Sequence, residues 1–315
     1  MKAFIDELQK VIRYEHPELI EKDVLLHNML RTMAKDEHFR DRFVFKGGTC
    51  LIKAYLGYFR FSEDLDFTWA DQSEFIGKSG MDVRKILSKR IKEMGDIIKS
   101  MSDEMGLDFE NKKTNKRYFE YGGSGRTTTL KVWYSSEVLG VESFFKIQVN
   151  FVEKILFPIK IVRLTSLASG IGINNLEKLF PQEMTGYTQT IRIPCYDIKE
   201  IMIEKVRAIL TRRGYKARDF VDIHLIEEFS GEHVGNYQKE ILQKTQYTLE
   251  NYDKYYRNFL AKKNLLEEGP IFQWGNEQAL LLKPLDDKKF YQFLDGFHKV
   301  LHEIMKGLDV PKGGP

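Results

Sequence analysis

Long apolar runs are missing from this 315-residue sequence: no stretch of 18 or more apolar residues occurs, so no transmembrane helix and no membrane partner are expected. Cysteine is scarce. Cys50 and Cys195 lie far apart and match no metal-ligand spacing, so neither a cysteine zinc site nor a disulfide framework is called for, and a reducing cytoplasm is the expected compartment. Cys50, inside an apolar helical run, reads as buried filler. The segment "MKAFIDELQKVIRYEHPELI" has no continuous apolar core and is not expected to be a signal peptide. A dominant charge is missing too. A net +3 is too small to imply nucleic-acid binding by itself, which leaves that role to local clusters. No internal repeat or low-complexity segment is found. What remains, 42% hydrophobic and 30% charged with abundant Phe and Tyr, is the composition of a globular protein with packed aromatic cores.

Apolar spacing predicts amphipathic helices over 3–13 and 23–36, the second through Val24, Leu25, Met29, Leu30 and Met33. "RFVF" (42–45) reads as a short strand broken by Gly47-Gly48, "TCLIKAYL" (49–56) as a helix, and "DLDFTW" (64–69) as a strand. A long polar-faced helix is expected over 80–102, then a basic glycine-rich hairpin or loop over 112–126. Strands follow at 127–134, 144–151 and 187–194, the last stopped by Pro194. From Tyr196 the pattern turns helical, with two helices separated by Gly214 and more helix over 236–262 and 285–307. The expected class is α+β, with a mixed α/β domain over 1–195 and a helical domain over 196–315.

Chemistry concentrates in "FKGGTCLIKAYLGYFRFSEDLDF" (45–67). Asp64 and Asp66 are two apart in a strand and so share a face. Such a pair can bridge two divalent ions roughly 3.5–4 Å apart, the arrangement that neutralises attacking and leaving oxygens in phosphoryl transfer. Mg²⁺ needs only one or two carboxylates besides phosphate and water. Glycines at a helix start let backbone N–H groups approach a triphosphate. Thr49 reads both as N-cap of that helix and as a phosphate ligand. Alone, a Gly-Gly-Thr is an ordinary turn and an Asp-x-Asp an ordinary solvated pair. Their combination in strand–helix–strand order favours the site.

This stretch, above all the run Phe61–Phe67, resembles the first motif of the AbiEii-like nucleotidyltransferase toxins, of the DNA-polymerase-β-type superfamily. A second match lies in "EIMIEKVRAILTRRGYKARDFVDIHLI" (200–226). There Lys205 is followed, after thirteen residues, by Asp219 and Asp222 on one helix face. Together the two motifs place the resemblance over roughly residues 40–230. A lysine near a triphosphate acts as a point charge. The Asp pair can orient that lysine, or bind the polar groups of the nucleotide or acceptor. Standing alone, Glu204, Lys205, Arg207, Asp219 and Asp222 would be plain ion-pair partners on a helix surface.

The resemblance implies a polymerase-β-type mixed sheet with flanking helices, a helical C-terminal domain and a divalent cofactor, Mg²⁺ or Mn²⁺. An NTP is the implied substrate. Asp64 and Asp66 are the implied metal ligands, with Lys205 and Asp219 also catalytic. Lys46, Gly47, Gly48, Thr49, Ser62, Lys205 and Asp222 would bind nucleotide. A tRNA 3′ end is the family-level RNA acceptor, a separately encoded antitoxin the genetic partner, and toxin–antitoxin or phage-defence activity the implied role. One departure stands out. The superfamily's third carboxylate is expected on "FFKIQVNFVEK" (144–154), where Gln148 and Asn150 stand instead, and Glu153 or Glu142 would need a shifted register. Either activity rests on Asp64 and Asp66, or another acid such as Asp219 substitutes.

Two basic clusters are candidate RNA contacts: Lys112, Lys113, Lys116, Arg117 and Arg126 around the glycine loop, and Arg207, Arg212, Arg213, Lys216 and Arg218 near the second motif. An ordinary solvated loop and helix face is the competing reading. His224 reads as packing. Two other functions fit the same residues: nucleotidyl transfer to a protein or small molecule, and a catalytically weak nucleotide- or RNA-binding module.

Overall fold

The computed structural model describes residues 1–169, 174–268 and 272–308. The chain forms two compact units: Met1–Glu153 with Ile159–Cys195, and Lys154–Pro158 with the chain from Tyr196 on.

The first unit is built on a seven-stranded mixed sheet. Its strands are β1 (Phe43–Lys46), β2 (Asp64–Trp69), β3 (Phe119–Gly122), β4 (Thr127–Ser135), β5 (Glu142–Asn150), β6 (Lys160–Leu164) and β7 (Ile191–Cys195), in the order β3-β4-β5-β2-β1-β7-β6. β2 lies at the centre, antiparallel to β1 and parallel to β5. Alternation along β2 and β5 sets their faces. Leu65, Phe67, Ile147 and Val149 are buried, while Asp64, Asp66, Lys146 and Gln148 on the other face are half-buried. The Phe45 and Phe67 rings meet in the core 5.2 Å apart, and the helix Pro17–Lys35 packs against β7.

The expected strand at 64–69 is observed with those limits. Others differ for physical reasons. The strand expected over 187–194 is β7, which begins at Ile191 because Pro181–Thr188 is helical. Pro194 does not end β7: Cys195 still pairs with Phe45 of β1 and Lys160 of β6. The basic loop contributes β3, a short strand hairpinned onto β4 through Gly123–Gly125. β6 has no counterpart in the sequence reading; four of its five residues are exposed or half-buried, so no apolar alternation marks it.

The helix after β1 starts at Gly47, not Thr49. Lys46 occupies its N-cap position, and Gly47–Cys50 runs on into a wider π-helical turn, Leu51–Leu56. That turn carries Lys53, which is fully buried and pairs with Asp23 at 2.8 Å. The hydroxyls of Tyr58 and Tyr187 also donate to Asp23, at 2.9 and 2.5 Å. A buried charge pair with its remaining acceptors filled resists displacement, because separating it strands a charge. It anchors the segment that follows the two glycines.

The second unit is helical: Ile198–Thr211, Ala217–Ser230, Gln238–Asn251, Asp253–Glu268 and Asp287–Gly307. The helical stretch expected over 236–262 is two helices that break at Tyr252. Glu200 and Lys244, both fully buried, pair at 2.6 Å, and Glu200 accepts the backbone N–H groups of Leu156 and Phe157. His224 packs between Phe290 and Phe293. Among the described residues no helix is long and apolar enough to cross a membrane.

Candidate active site

β2 places Asp64 and Asp66 on one face at the middle of the sheet. Lys46 of β1 lies opposite Asp66 on one side and Gln148 of β5 on the other. The rung continues to Thr129 of β4 and Glu120 of β3. Strand partners project alike, so Gln148 shares the Asp66 face at the position expected of a third acid. It is an amide there. Glu142, six residues earlier at the far end of β5, is paired with Arg117 at 2.5 Å.

The two glycines sit against this face. Gly47 has φ +76°, in the left-handed region, and a Cβ built on it would fall 2.3 Å from Asp66 Oδ2. A Cβ on Gly48 would fall 2.6 Å from Arg60 Nη2 and 3.2 Å from Ser62 Oγ. Only glycine lets this turn approach the acid that closely. Thr49 is 1% exposed, and its hydroxyl lies 2.5 Å from the Asp64 carbonyl and 2.8 Å from Ser62 Oγ. It ties the helix start to the start of β2 and does not cap that helix.

Two residues gain a place that strand alternation does not give them. Arg60, 2% exposed, donates to the Phe61 carbonyl at 2.7 Å, and its other guanidinium nitrogen lies under Gly48. Its only sequence signal was a charge beside the serine–aspartate run. Glu153 is buried and reaches Lys46 at 3.5 Å, while Asn150 donates to it at 3.2 Å and its own N–H donates to Gln72. Its chain position is past the end of β5, so strand alternation could not place it.

The donor set suits one hard divalent cation: two carboxylates on one strand face and an amide oxygen opposite, with phosphate and water completing the shell. The Asp66 carboxylate fills the space a Cβ at Gly47 would take, so the Gly47 backbone packs directly on the acid. Among the described residues no group of three or more His, Cys, Asp or Glu forms a self-sufficient metal site.

In the second unit Lys205 stands between two carboxylates. Its ammonium pairs closely with Asp222 and lies 3.4 Å from Asp219, which also takes Arg212 at 2.6 Å. Lys205 is 8% exposed, Asp219 3% and Asp222 0%. Burial acts to raise the Asp219 carboxyl, but Arg212, Lys205, Arg218 and Lys216 outweigh it and hold the group down at about 2. A carboxyl so held is a poor proton acceptor at neutral pH. Its geometry is that of an orienting group for Lys205. Glu204 and Arg207 pair with each other at 3.2 Å on the same helix.

The basic candidates divide. Arg117 is pinned by Asp108 at 2.8 Å and by Glu142, and lies over the Trp133 ring at 4.0 Å, so it serves the hairpin. Lys113 donates to the Ser88 carbonyl at 2.5 Å. Arg212 is committed to Asp219. Lys112, Lys116 and Arg213 are exposed, and Arg218 is half-buried.

Comparison with known proteins follows the same lines. The family model for the nucleotidyl transferase AbiEii toxin of type IV toxin–antitoxin systems matches residues 29–298. Among solved structures, MenT4, a nucleotidyltransferase toxin from Mycobacterium tuberculosis H37Rv, is 18% identical with a TM-score of 0.55, over 97% of this chain and 90% of its own. JHP933 from Helicobacter pylori is 16% identical with a TM-score of 0.46, over 92% of this chain and 94% of its own. No curated protein sequence matches the chain.

Proposed function

The chain belongs to the AbiEii family of nucleotidyltransferase toxins from type IV toxin–antitoxin systems, and on that premise we propose that it transfers a nucleoside monophosphate from an NTP to an RNA hydroxyl, with a tRNA 3′ end as acceptor. The observation that supports this best is the β2 face, where Asp64 and Asp66 project together and Gly47 packs against Asp66. Mg²⁺ or Mn²⁺ bound there would neutralise charge on the triphosphate oxygens. In this reading the Gly47–Gly48 turn offers backbone N–H groups to the phosphates, while the buried Arg60 guanidinium supports the turn under Gly48. Ser62 and Lys46 border the same turn.

The acceptor oxygen attacks the α-phosphorus, its new P–O bond forming as the bond to pyrophosphate breaks. The acceptor proton has no carboxylate at the Gln148 position to receive it. Gln148 can orient the hydroxyl through its amide, and the proton leaves to water. Lys205, held by Asp219 and Asp222, is assigned to the triphosphate as a point charge. A separately encoded antitoxin, a cytoplasmic site of action and a role in phage defence complete the reading.

The test is incubation with each α-labelled NTP, Mg²⁺ or Mn²⁺, and total tRNA. Label in RNA is expected. Label in protein would redirect the function to a protein acceptor. Nucleotide binding without transfer under every condition would make the chain a nucleotide-binding module, the reading that Gln148 in the acid position favours.

A further inference from the structure

Away from the acids, the same sheet face carries a second charged feature. Ladder parity identifies it. Phe45 pairs with both Phe67 and Cys195, so these three residues share the core face. Arg192 is three residues from Cys195 and therefore projects from the other face, that of Lys46, Asp66 and Asp64. Arg163 is its direct partner on β6. The exposure pattern agrees: Ile191 and Ile193 are buried while Arg192 is exposed, and Arg163 is exposed beside buried Leu164.

Two arginines directly opposite each other are unfavourable in a sheet unless something neutralises them. Here nothing does: neither guanidinium has a hydrogen-bonding or ion-pair partner among the described residues. The next rung on this face pairs Pro194 with Ile161, which is 65% exposed. A cationic rung beside an exposed apolar rung suits a ligand with alternating anionic and apolar parts better than a single small anion. With strands about 4.8 Å apart and about 3.3 Å per residue, Arg192 lies about 16 Å from Asp66 and Arg163 about 20 Å. Val44 and Thr68 lie between them on that face and are buried, so a ligand touching both ends must pass around this covered part.

We propose that the cross-strand pair Arg163–Arg192, exposed at the edge of the sheet, is a docking site for the phosphodiester backbone of the RNA acceptor, away from the part of that face where Val44 and Thr68 are buried. The proposal rests on the RNA reading above and adds to it the surface that receives the acceptor. Guanidinium forks match phosphate oxygens in geometry as well as charge. Phosphate contacts position a nucleic acid without reading its sequence, so these arginines set affinity and register and not acceptor choice.

The experiment compares the full-length chain with Arg163→Gln/Arg192→Gln, using fluorescein-labelled tRNA in anisotropy titrations between about 50 and 200 mM salt. Losing two phosphate contacts should make the plot of log affinity against log salt shallower by about 1.4 on a single strand, or about 1.8 on a duplex. Binding at the low-salt end should weaken about tenfold. The KM for NTP should not move, and the melting temperature should hold or rise because two facing like charges are gone. An unchanged salt slope overturns the proposal. So does an equal loss in NTP affinity or a fall in melting temperature, since either would mean a structural role. The failure of the RNA reading is separate: it shows as no label entering RNA with the unmodified chain, whereas the titration needs no chemistry and still decides the pair.

Discussion

Asp64 and Asp66 are two residues apart on a strand and half-buried; Asp219 and Asp222 are three apart on a helix and almost wholly buried. The helical pair holds a lysine ammonium between its carboxylates, with Arg212 closing one side. The strand pair has the Gly47 turn against it and an amide opposite. Both arrangements bring like charges together, and they resolve the repulsion differently. On the helix the neutralising cation is built into the chain. On the strand, Lys46 of β1 lies directly across from Asp66, and the proposed cation and phosphates would add to that charge. The same residue type is thus almost wholly buried in one unit and half-buried in the other.

Removing charge from each pair should separate these roles. Asp66→Ala is expected to lower NMP transfer by about a thousandfold or more, since a metal ligand contributes several kcal/mol to the transition state, while melting temperature falls less than in Lys205→Met. Label incorporation and thermal denaturation check the two halves. A large loss of stability with Asp66→Ala would put the strand pair in the same structural class as the helical one.

Lys205→Met should do the reverse in its first effect. It takes the ammonium away from two buried carboxylates, of which Asp219 keeps Arg212, and breaking a buried pair costs about 3–5 kcal/mol. Denaturant unfolding should show that loss, and Lys205→Met/Asp219→Asn/Asp222→Asn should recover most of it. If the triple variant regains stability and still fails to transfer, Lys205 acts on substrate as well as on its own helix. If the single variant is as stable as the parent, the built-in neutralisation is not what holds the second unit.

The contrast was partly legible in sequence because the two motifs use different periods. Asp64-Leu65-Asp66 inside "DLDFTW" could share a face only as a strand, and β2 has those limits. Asp219 and Asp222 could share one only as a helix, and Ala217–Ser230 is helical. Gln148 could be named as the missing acid because β5 alternates cleanly. Contacts that do not follow local period were invisible. Lys46 meets Glu153 from beyond a strand end, and Arg60 reaches Gly48 around a turn. Thr49 looked like a cap because it follows two glycines, yet the helix begins at the first of them. β6 escaped because an edge strand with one buried residue carries no apolar alternation. In the basic loop, charge counts in a sequence cannot show that Arg117 is already held by Asp108, Glu142 and Trp133.

Acid titration gives a finer handle on the helical pair. The Asp219 carboxyl falls from an ordinary 3.8 to about 2 in the folded chain. Its stabilising contribution is therefore complete above about pH 4 and fades as pH drops through about 2, and it amounts to about 2 kcal/mol. Asp219→Asn should flatten the stability curve over that window and leave its slope above pH 5 unchanged. A variant whose acid limb matches the parent would mean that Arg212 and Lys205 do not favour the charged form.

The smallest expected effect belongs to the strand pair's missing member. Gln148→Glu puts a third carboxylate directly across from Asp66, on the same face and at nearly the same volume. Without a divalent ion the added charge faces Asp66 and should lower melting temperature slightly, as like charges on paired strands do. With Mg²⁺ or Mn²⁺ the three acids can share the cation, and divalent affinity should rise about tenfold, the effect of one better ligand at a hard-ion site. The readout is the difference in melting temperature with and without the ion, which needs no substrate and no turnover. A larger difference in the variant than in the parent means that the face is a cation site short of one ligand. An equal difference means that Gln148 is not oriented toward the ion, and the strand pair then works with two carboxylates alone.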